Sequence, residues 1–330
     1  MASNKKKVLV LGAMHPEGMA LFEGRDDVEY EVLTDYSEAN VLRHIEGVHG
    51  IAVRVAPVTR RIIEASGCLE VVSRHGVGYD AVDVAACTDN GVRLTIAPRA
   101  NAPSVAEQAM MFLLALAKQL TAFDPLVRRG DWARRSEHQA IDLEGRTLLI
   151  IGLGRIGSRV VKRARAFDMR VLGYDPYIDQ DTIRAMGAEP VADFRAVLGE
   201  VDAVTVHCPR NAETIGIVGA SELAALRKGA LVVNCARGGL VDEAALLAAI
   251  RSGQIAGAGM DVFDVEPPAP DHPFFQEPRI LMTPHSAGAS LEALKRSAYQ
   301  TIENILATFD GTLDPAVVVN KVVLQGTAAS

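Results

Sequence analysis

The chain has 330 residues, more than one hydrophobic core normally accommodates, so two domains are expected. Its 49% hydrophobic and 23% charged residues are ordinary for a globular protein. A formal net charge of −7 argues against non-specific binding to nucleic acid or to an anionic membrane, since both would repel it; a cleft for an anionic ligand therefore needs arginines of its own.

No apolar run reaches the roughly 18 residues of a membrane-spanning helix. Lys5-Lys6-Lys7 followed by the apolar Val8–Leu11 looks superficially like a signal peptide. The run is short and leads into His15-Pro16-Glu17, so a first strand and a cytoplasmic location are predicted instead. Cys68, Cys87, Cys208 and Cys235 show no CxxC spacing, and buried reduced thiols without a metal are expected.

Short β-branched runs then alternate with helical patterns. Strands are predicted at Lys7–Gly12, Glu29–Thr34, Gly50–Val55, Leu69–Ser73 and Val92–Ile96, with helix-like stretches at Ser37–Glu46 and Val82–Asn90 between them. The alternation breaks at Pro103–Leu120, read as one long apolar helix, and at the polar stretch Arg128–Arg135. It resumes with strands at Arg146–Gly152, Arg170–Asp175, Val201–His207, Ala230–Asn234, Ala256–Val262 and Ile280–Thr283, and ends in a helix over Leu291–Phe309. Strand–helix alternation of this kind predicts an α/β fold with parallel sheets covered on both faces.

The turn Gly152-Leu-Gly-Arg-Ile-Gly157 follows an apolar strand and precedes a good helix, Arg155–Phe167. Gly152 permits the tight turn, Gly154 lets the backbone reach a pyrophosphate, and Gly157 lets the helix pack on the strand; the helix N-terminus offers unpaired N–H groups to the phosphates. Asp175 ends the next strand 18 positions after Gly157, where an acid hydrogen-bonds the adenine ribose. It can also be read as a turn aspartate before Pro176. A carboxylate there repels a 2′-phosphate, so NAD is expected over NADP.

Ligands in open α/β sheets bind beyond the carboxyl ends of the strands. His207-Cys-Pro209, Ala236-Arg237, Asp261 to Glu266 and Pro284-His285 all occupy such positions. A cation, a carboxylate and an imidazole there make a plausible site. The plainer reading has Arg237 solvated, Glu266 in a polar proline loop and His285 capping the last helix.

Gly152–Gly157 with Asp175, Asn234-Cys-Ala-Arg237-Gly-Gly-Leu-Val-Asp242, Gly259-Met-Asp-Val-Phe-Asp-Val-Glu266-Pro-Pro268 and Pro284-His285 together resemble the D-isomer-specific 2-hydroxyacid dehydrogenases. The resemblance covers nearly the whole chain, with the motifs in the family's order. It implies a Rossmann cofactor domain (103–286) inserted into a flavodoxin-like parallel-sheet substrate domain (1–102 and 287–330). It implies Arg237, Glu266 and His285 as the catalytic set. Gly152, Gly154, Arg155, Ile156, Gly157, Asp175, His207, Cys235 and Asp261 would line the NAD site, Asp261 orienting the nicotinamide carboxamide. It also implies a homodimer using the Pro103–Leu120 helix and the loop bearing Trp132.

Leu69–Asp80 resembles the family's substrate loop, where Val77 and Gly78 would offer N–H groups to a substrate carboxylate. Arg54 and Arg74 stand where phosphoglycerate dehydrogenase-like members carry anion-binding arginines, suggesting a second anionic group on the substrate; surface ion pairing is the alternative. The chain departs from the pattern at His75, Arg99 and Gln108, and ends soon after Val323, without the regulatory extension of many phosphoglycerate dehydrogenases. His75 could contact substrate or be a packed or solvated ring. The expected reaction interconverts a small 2-keto acid and its D-2-hydroxy acid. Phosphoglycerate dehydrogenase and hydroxypyruvate/glyoxylate reductase are the nearest specificities. Formate dehydrogenases place Gln beside the histidine and are disfavoured by Glu266. The alternative of a different class is an NAD(H)-sensing binding protein like the C-terminal-binding-protein corepressors, which keep the same triad.

Overall fold

A computed structural model describes residues 5–325. The chain forms two compact units: one runs to Asn101 and resumes at Ala289, and the other is Ala102–Gly288.

The first unit is built on five parallel strands: β1 (Lys6–Leu11), β2 (Val28–Leu33), β3 (Gly50–Val53), β4 (Val71–Arg74) and β5 (Arg93–Thr95). Their spatial order is β2-β1-β3-β4-β5, the flavodoxin-like doubly wound order. Successive side chains on β1 point to opposite faces, and both faces are apolar because both are covered. Leu9 and Leu11 join Ile51, Val72 and Leu94 in one core. Val8 and Val10 join Ala52, Val71 and the helix residues Ile302 and Ile305 in the other. That helix spans Leu291–Phe309, as predicted, and Ser290 caps it by accepting the Ala293 N–H at 3.1 Å.

The second unit holds seven parallel strands: β6 (Thr147–Ile151), β7 (Arg170–Tyr174), β8 (Glu189–Pro190), β9 (Ala203–Val206), β10 (Ala230–Asn234), β11 (Ile255–Met260) and β12 (Ile280–Met282). The order β12-β11-β10-β9-β6-β7-β8 reverses between β6 and β9, the Rossmann switch point at which this fold binds its ligands. β6 is buried along its whole length. Leu149 and Ile151 enter one core, Leu148 and Ile150 the other.

Three local expectations need correction. The single helix expected over 103–120 is two helices, Ala102–Ala117 and Leu120–Arg128, bent by 62°. The break falls at Gln119, whose φ of +53° is left-handed and cannot continue a right-handed helix. The polar stretch that follows is not irregular throughout, because Trp132–Glu137 forms a 3₁₀ helix. The helix after the glycine turn starts at Gly157 rather than Arg155. Among the described residues no single helix is long and apolar enough to cross a membrane.

Candidate active site

The glycine turn sits at the carboxyl end of β6, on the switch point. Gly152 has φ +93°, and a Cβ there would lie 2.6 Å from the Cys208 amide nitrogen. A Cβ on Gly157 would lie 2.0 Å from the Gly152 carbonyl oxygen, so the helix Gly157–Ala166 starts in backbone contact with the turn. Gly154 differs: a Cβ there would meet no protein atom within 4 Å. The fold itself does not require glycine at 154, whereas a pyrophosphate laid against the backbone does. Ile156, at the N-cap, supplies no side-chain hydrogen bond to the helix start. Arg155 lies in the same turn, exposed.

Asp175, directly after β7, accepts the Leu153 N–H at 2.9 Å through Oδ2 and the Tyr177 N–H at 3.0 Å through Oδ1. It is thus a turn aspartate, and it is also bound to the glycine turn. Each carboxylate oxygen keeps further acceptor capacity for a ribose hydroxyl. His207 follows β9. Burial pushes its imidazole down to about 4, so the ring is neutral. Its Nε2 lies 3.0 Å from Thr205 Oγ1, while its buried Nδ1 has no partner among the described residues. An orphaned ring nitrogen, an open position over Gly154 and a half-buried carboxylate are the donor and acceptor set a dinucleotide needs. Cys235 is 6% exposed, and burial raises its thiol well above the ordinary range, so it is a neutral wall residue and not a nucleophile.

His285 lies 2.6 Å from Glu266, Nδ1 to Oε2. A carboxylate can only accept, so Nδ1 carries the hydrogen and Nε2 is left as the ring's proton-exchanging atom. The second Glu266 oxygen accepts the Phe263 N–H at 3.0 Å, which orients the carboxylate. His285 does not cap the last helix. It sits at φ +49°, a conformation that costs about 1–3 kcal/mol for a non-glycine residue and persists only where its surroundings impose it.

Asp261 imposes it. Its carbonyl accepts the His285 N–H at 2.7 Å. Its carboxylate accepts the Ser286 and Ala287 N–H groups, each at 2.9 Å, and the Thr283 hydroxyl. Gln108, one of the departures from the family pattern, donates to Thr283 Oγ1 at 3.1 Å and so belongs to this network. Asp261 is 1% exposed, and burial raises its carboxyl above the ordinary range even though these donors oppose the shift. Three of its acceptor positions are committed to the turn that carries His285. That is a task the sequence did not reveal.

Arg237 follows β10 on a turn wrapped by Asn234, which is fully buried. The Asn234 Oδ1 accepts the Ala236 N–H at 3.0 Å and its Nδ2 donates to the Arg237 carbonyl at 2.8 Å. The Arg237 guanidinium donates to the Ala236 carbonyl at 2.7 Å and is half-buried.

In the first unit, Arg54 follows β3 and Arg74 ends β4; both are half-buried, and Arg74 donates to the His75 carbonyl. Arg54 makes no ion pair among the described residues, which removes the surface-pairing alternative for it. Gly76 has φ +124° and its carbonyl accepts the Ala97 N–H at 2.7 Å, shaping the loop. The N–H groups of Val77 and Gly78 have no acceptor among the described residues. His75 is buried, and burial first, then Arg54 and Arg74, lower its imidazole to about 4. It is a packed neutral ring.

Residues 110–287 match the family model described as "D-isomer specific 2-hydroxyacid dehydrogenase, NAD binding domain". A D-3-phosphoglycerate dehydrogenase of Methanocaldococcus jannaschii is 39% identical over 94% of this chain and 59% of its own length. The chain therefore spans about three-fifths of that relative. A glyoxylate reductase of Korarchaeum cryptofilum is 36% identical over 83% of each chain. Among solved structures, an NADPH-dependent glyoxylate/hydroxypyruvate reductase of Sinorhizobium meliloti superposes with a TM-score of 0.85 at 29% identity, covering 96% of this chain and 98% of its own.

Proposed function

The chain belongs to the D-isomer-specific 2-hydroxyacid dehydrogenase family, and on that premise we propose that it interconverts a small 2-keto acid and its D-2-hydroxy acid with NAD(H). The observation that carries the proposal is the His285–Glu266 pair at 2.6 Å, held on a left-handed turn by Asp261. The second unit is read as the cofactor domain and the first as the substrate domain. Gly152, Gly154, Arg155, Ile156 and Gly157 would hold the pyrophosphate, Asp175 the ribose, and His207, Cys235 and Asp261 the nicotinamide half. A nicotinamide dinucleotide bound there supplies the hydride for C2, or accepts it in the reverse direction.

Every other task falls to side chains. As hydride arrives at C2, negative charge develops on the carbonyl oxygen, and His285 Nε2 delivers a proton to it. Glu266 fixes the ring's orientation through Nδ1. Arg237 holds the substrate carboxylate and polarises the carbonyl, a contact typically worth roughly 2.7–4 kcal/mol of barrier. Arg54, Arg74 and the Val77 and Gly78 N–H groups are assigned to the substrate's anionic groups. Two half-buried arginines there favour a substrate with a second anionic group. Exposed Leu120, Val127 and Trp132 support a homodimer, which the mass in solution by light scattering checks.

The test is NADH oxidation against 3-phosphohydroxypyruvate, hydroxypyruvate, glyoxylate and pyruvate. Rapid turnover on at least one is expected; none on all four would refute the dehydrogenase reading. His285→Ala should lose most of its turnover while still binding NADH, and a kcat near the parent's would remove the proton-shuttle role.

A further inference from the structure

Arg237 and Glu266 sit on different loops, 29 positions apart in sequence, and two carboxylates outside the catalytic set tie those loops together. The Asp264 side chain accepts the Gly239 N–H at 2.6 Å, reaching from the Glu266 loop to the Arg237 turn. The Asp264 backbone N–H in turn donates to Glu243 Oε1 at 2.9 Å, in the first turn of the helix Glu243–Arg251. Glu243 Oε2 lies 3.1 Å from His272 Nε2. His272 Nδ1 accepts the Phe274 N–H at 3.3 Å, so Nε2 carries the hydrogen and a neutral ring satisfies the pairing. That ring is itself held among Phe263, Phe274 and Phe275, with centroids 5.4, 4.9 and 5.6 Å away.

The loops also touch without side chains between them. A Cβ on Gly238 would lie 1.8 Å from the Phe263 carbonyl oxygen, so the Arg237 turn rests on the backbone of the Glu266 loop. Phe263 supplies the N–H that orients Glu266, and Asp264 is the next residue. On its other side the turn is held by the Asn234 amide, which binds the Arg237 carbonyl at 2.8 Å. Gly239, at φ +77°, ends the turn and has no side chain to restrain it. The acceptor that fixes its N–H is Asp264, which is exposed, so the bond contributes little core packing. Its effect is on where the guanidinium two residues back stands relative to Glu266.

We propose that Asp264 and Glu243 are positioning residues, a latch that holds the Arg237 turn in register with the Glu266–His285 pair. The proposal rests on the dehydrogenase reading above. Misplacement of a reacting group by about 1 Å can cost on the order of 100-fold in rate, so loosening this turn acts on kcat while leaving the dinucleotide site untouched.

The test uses the full chain, NADH and whichever of the four keto acids turns over fastest. Asp264→Ala should lower kcat by about 10-fold or more, with the NADH dissociation constant, read by fluorescence, within about two-fold of the parent. Asp264→Asn keeps an oxygen acceptor for the Gly239 N–H and should restore kcat to within a few-fold, while Glu243→Ala falls in the same direction as Asp264→Ala. In an Arg237→Ala background the Asp264→Ala penalty should nearly vanish, because the latch works through that arginine. If turnover there is too slow to measure, the same cycle is read in the dissociation constant of oxalate from the NADH complex. Parental kcat in Asp264→Ala, failure of Asp264→Asn to restore it, or a full penalty in the Arg237→Ala background would each overturn the latch. The dehydrogenase reading fails separately, by no turnover on any keto acid or by an active His285→Ala protein.

Discussion

Two glycines three positions apart in the same turn should fail in opposite ways. At Gly154 a methyl group would meet no protein atom within 4 Å, and the backbone is not left-handed. Gly154→Ala should therefore leave the fold intact, and by restricting the unfolded chain it should add about 0.4–1 kcal/mol of stability. The methyl would instead occupy the space over the turn that a pyrophosphate must approach, and a 10-fold weaker NADH complex corresponds to about 1.4 kcal/mol. At Gly157 the new Cβ would stand 2.0 Å from the Gly152 carbonyl oxygen. Comfortable C···O contacts begin near about 3.3 Å, so the start of the helix must retreat by more than about 1 Å. Overpacking of that kind costs roughly 1–3 kcal/mol, or a melting temperature lower by several degrees. Differential scanning fluorimetry and NADH fluorescence titration on the two variants read both quantities. A Gly154→Ala protein binding NADH within two-fold of the parent would refute the backbone-approach argument, and an unshifted melting temperature in Gly157→Ala would refute the packing argument.

Asp175→Asn should shift the ratio of kcat/KM for NADPH over NADH upward by about 10-fold, since the charge opposing a 2′-phosphate is gone; an unchanged ratio would remove Asp175 from cofactor selection. His75 titrates near 4 in the fold against an ordinary 6.5, so the unfolded chain takes up its proton first as pH falls. The stability it contributes is complete above pH 6.5 and is lost toward pH 4, by roughly 2 kcal/mol between pH 7 and 5. Denaturant midpoints across that window should fall with acid and flatten in His75→Gln, and an identical slope in the variant would contradict the assignment.

Much of the architecture is legible because it rests on periodicity. Within β6, Leu148–Ile151 is an unbroken apolar run that ends at a glycine, which is how a strand covered on both faces must read. The last helix is bounded by Ser290 and keeps its apolar face in step over Leu291–Phe309. The break at Gln119 was not legible. Apolar residues continue through Leu120 and Leu126, and a left-handed glutamine leaves no mark in a pattern of hydrophobicity. β8 has two residues, too few for any period to show.

The site divides along the same line. His285 and Glu266 stand out as reactive residue types after strand ends, and the pairing at 2.6 Å spans only 19 positions of chain. What fixes them does not stand out. The family resemblance places Asp261 at the cofactor, and its acceptors also hold the 283–287 turn; Asp264 reaches Gly239 across 25 positions. Apart from the Thr283 hydroxyl at Asp261, the partners in both cases are backbone N–H groups, which nearly every residue carries. A side chain that recognises another side chain constrains two letters of the sequence, but one that recognises a peptide group constrains only its own. The residues that do the chemistry are therefore readable from residue type and spacing, whereas those that aim them become visible only once the loops are placed in space.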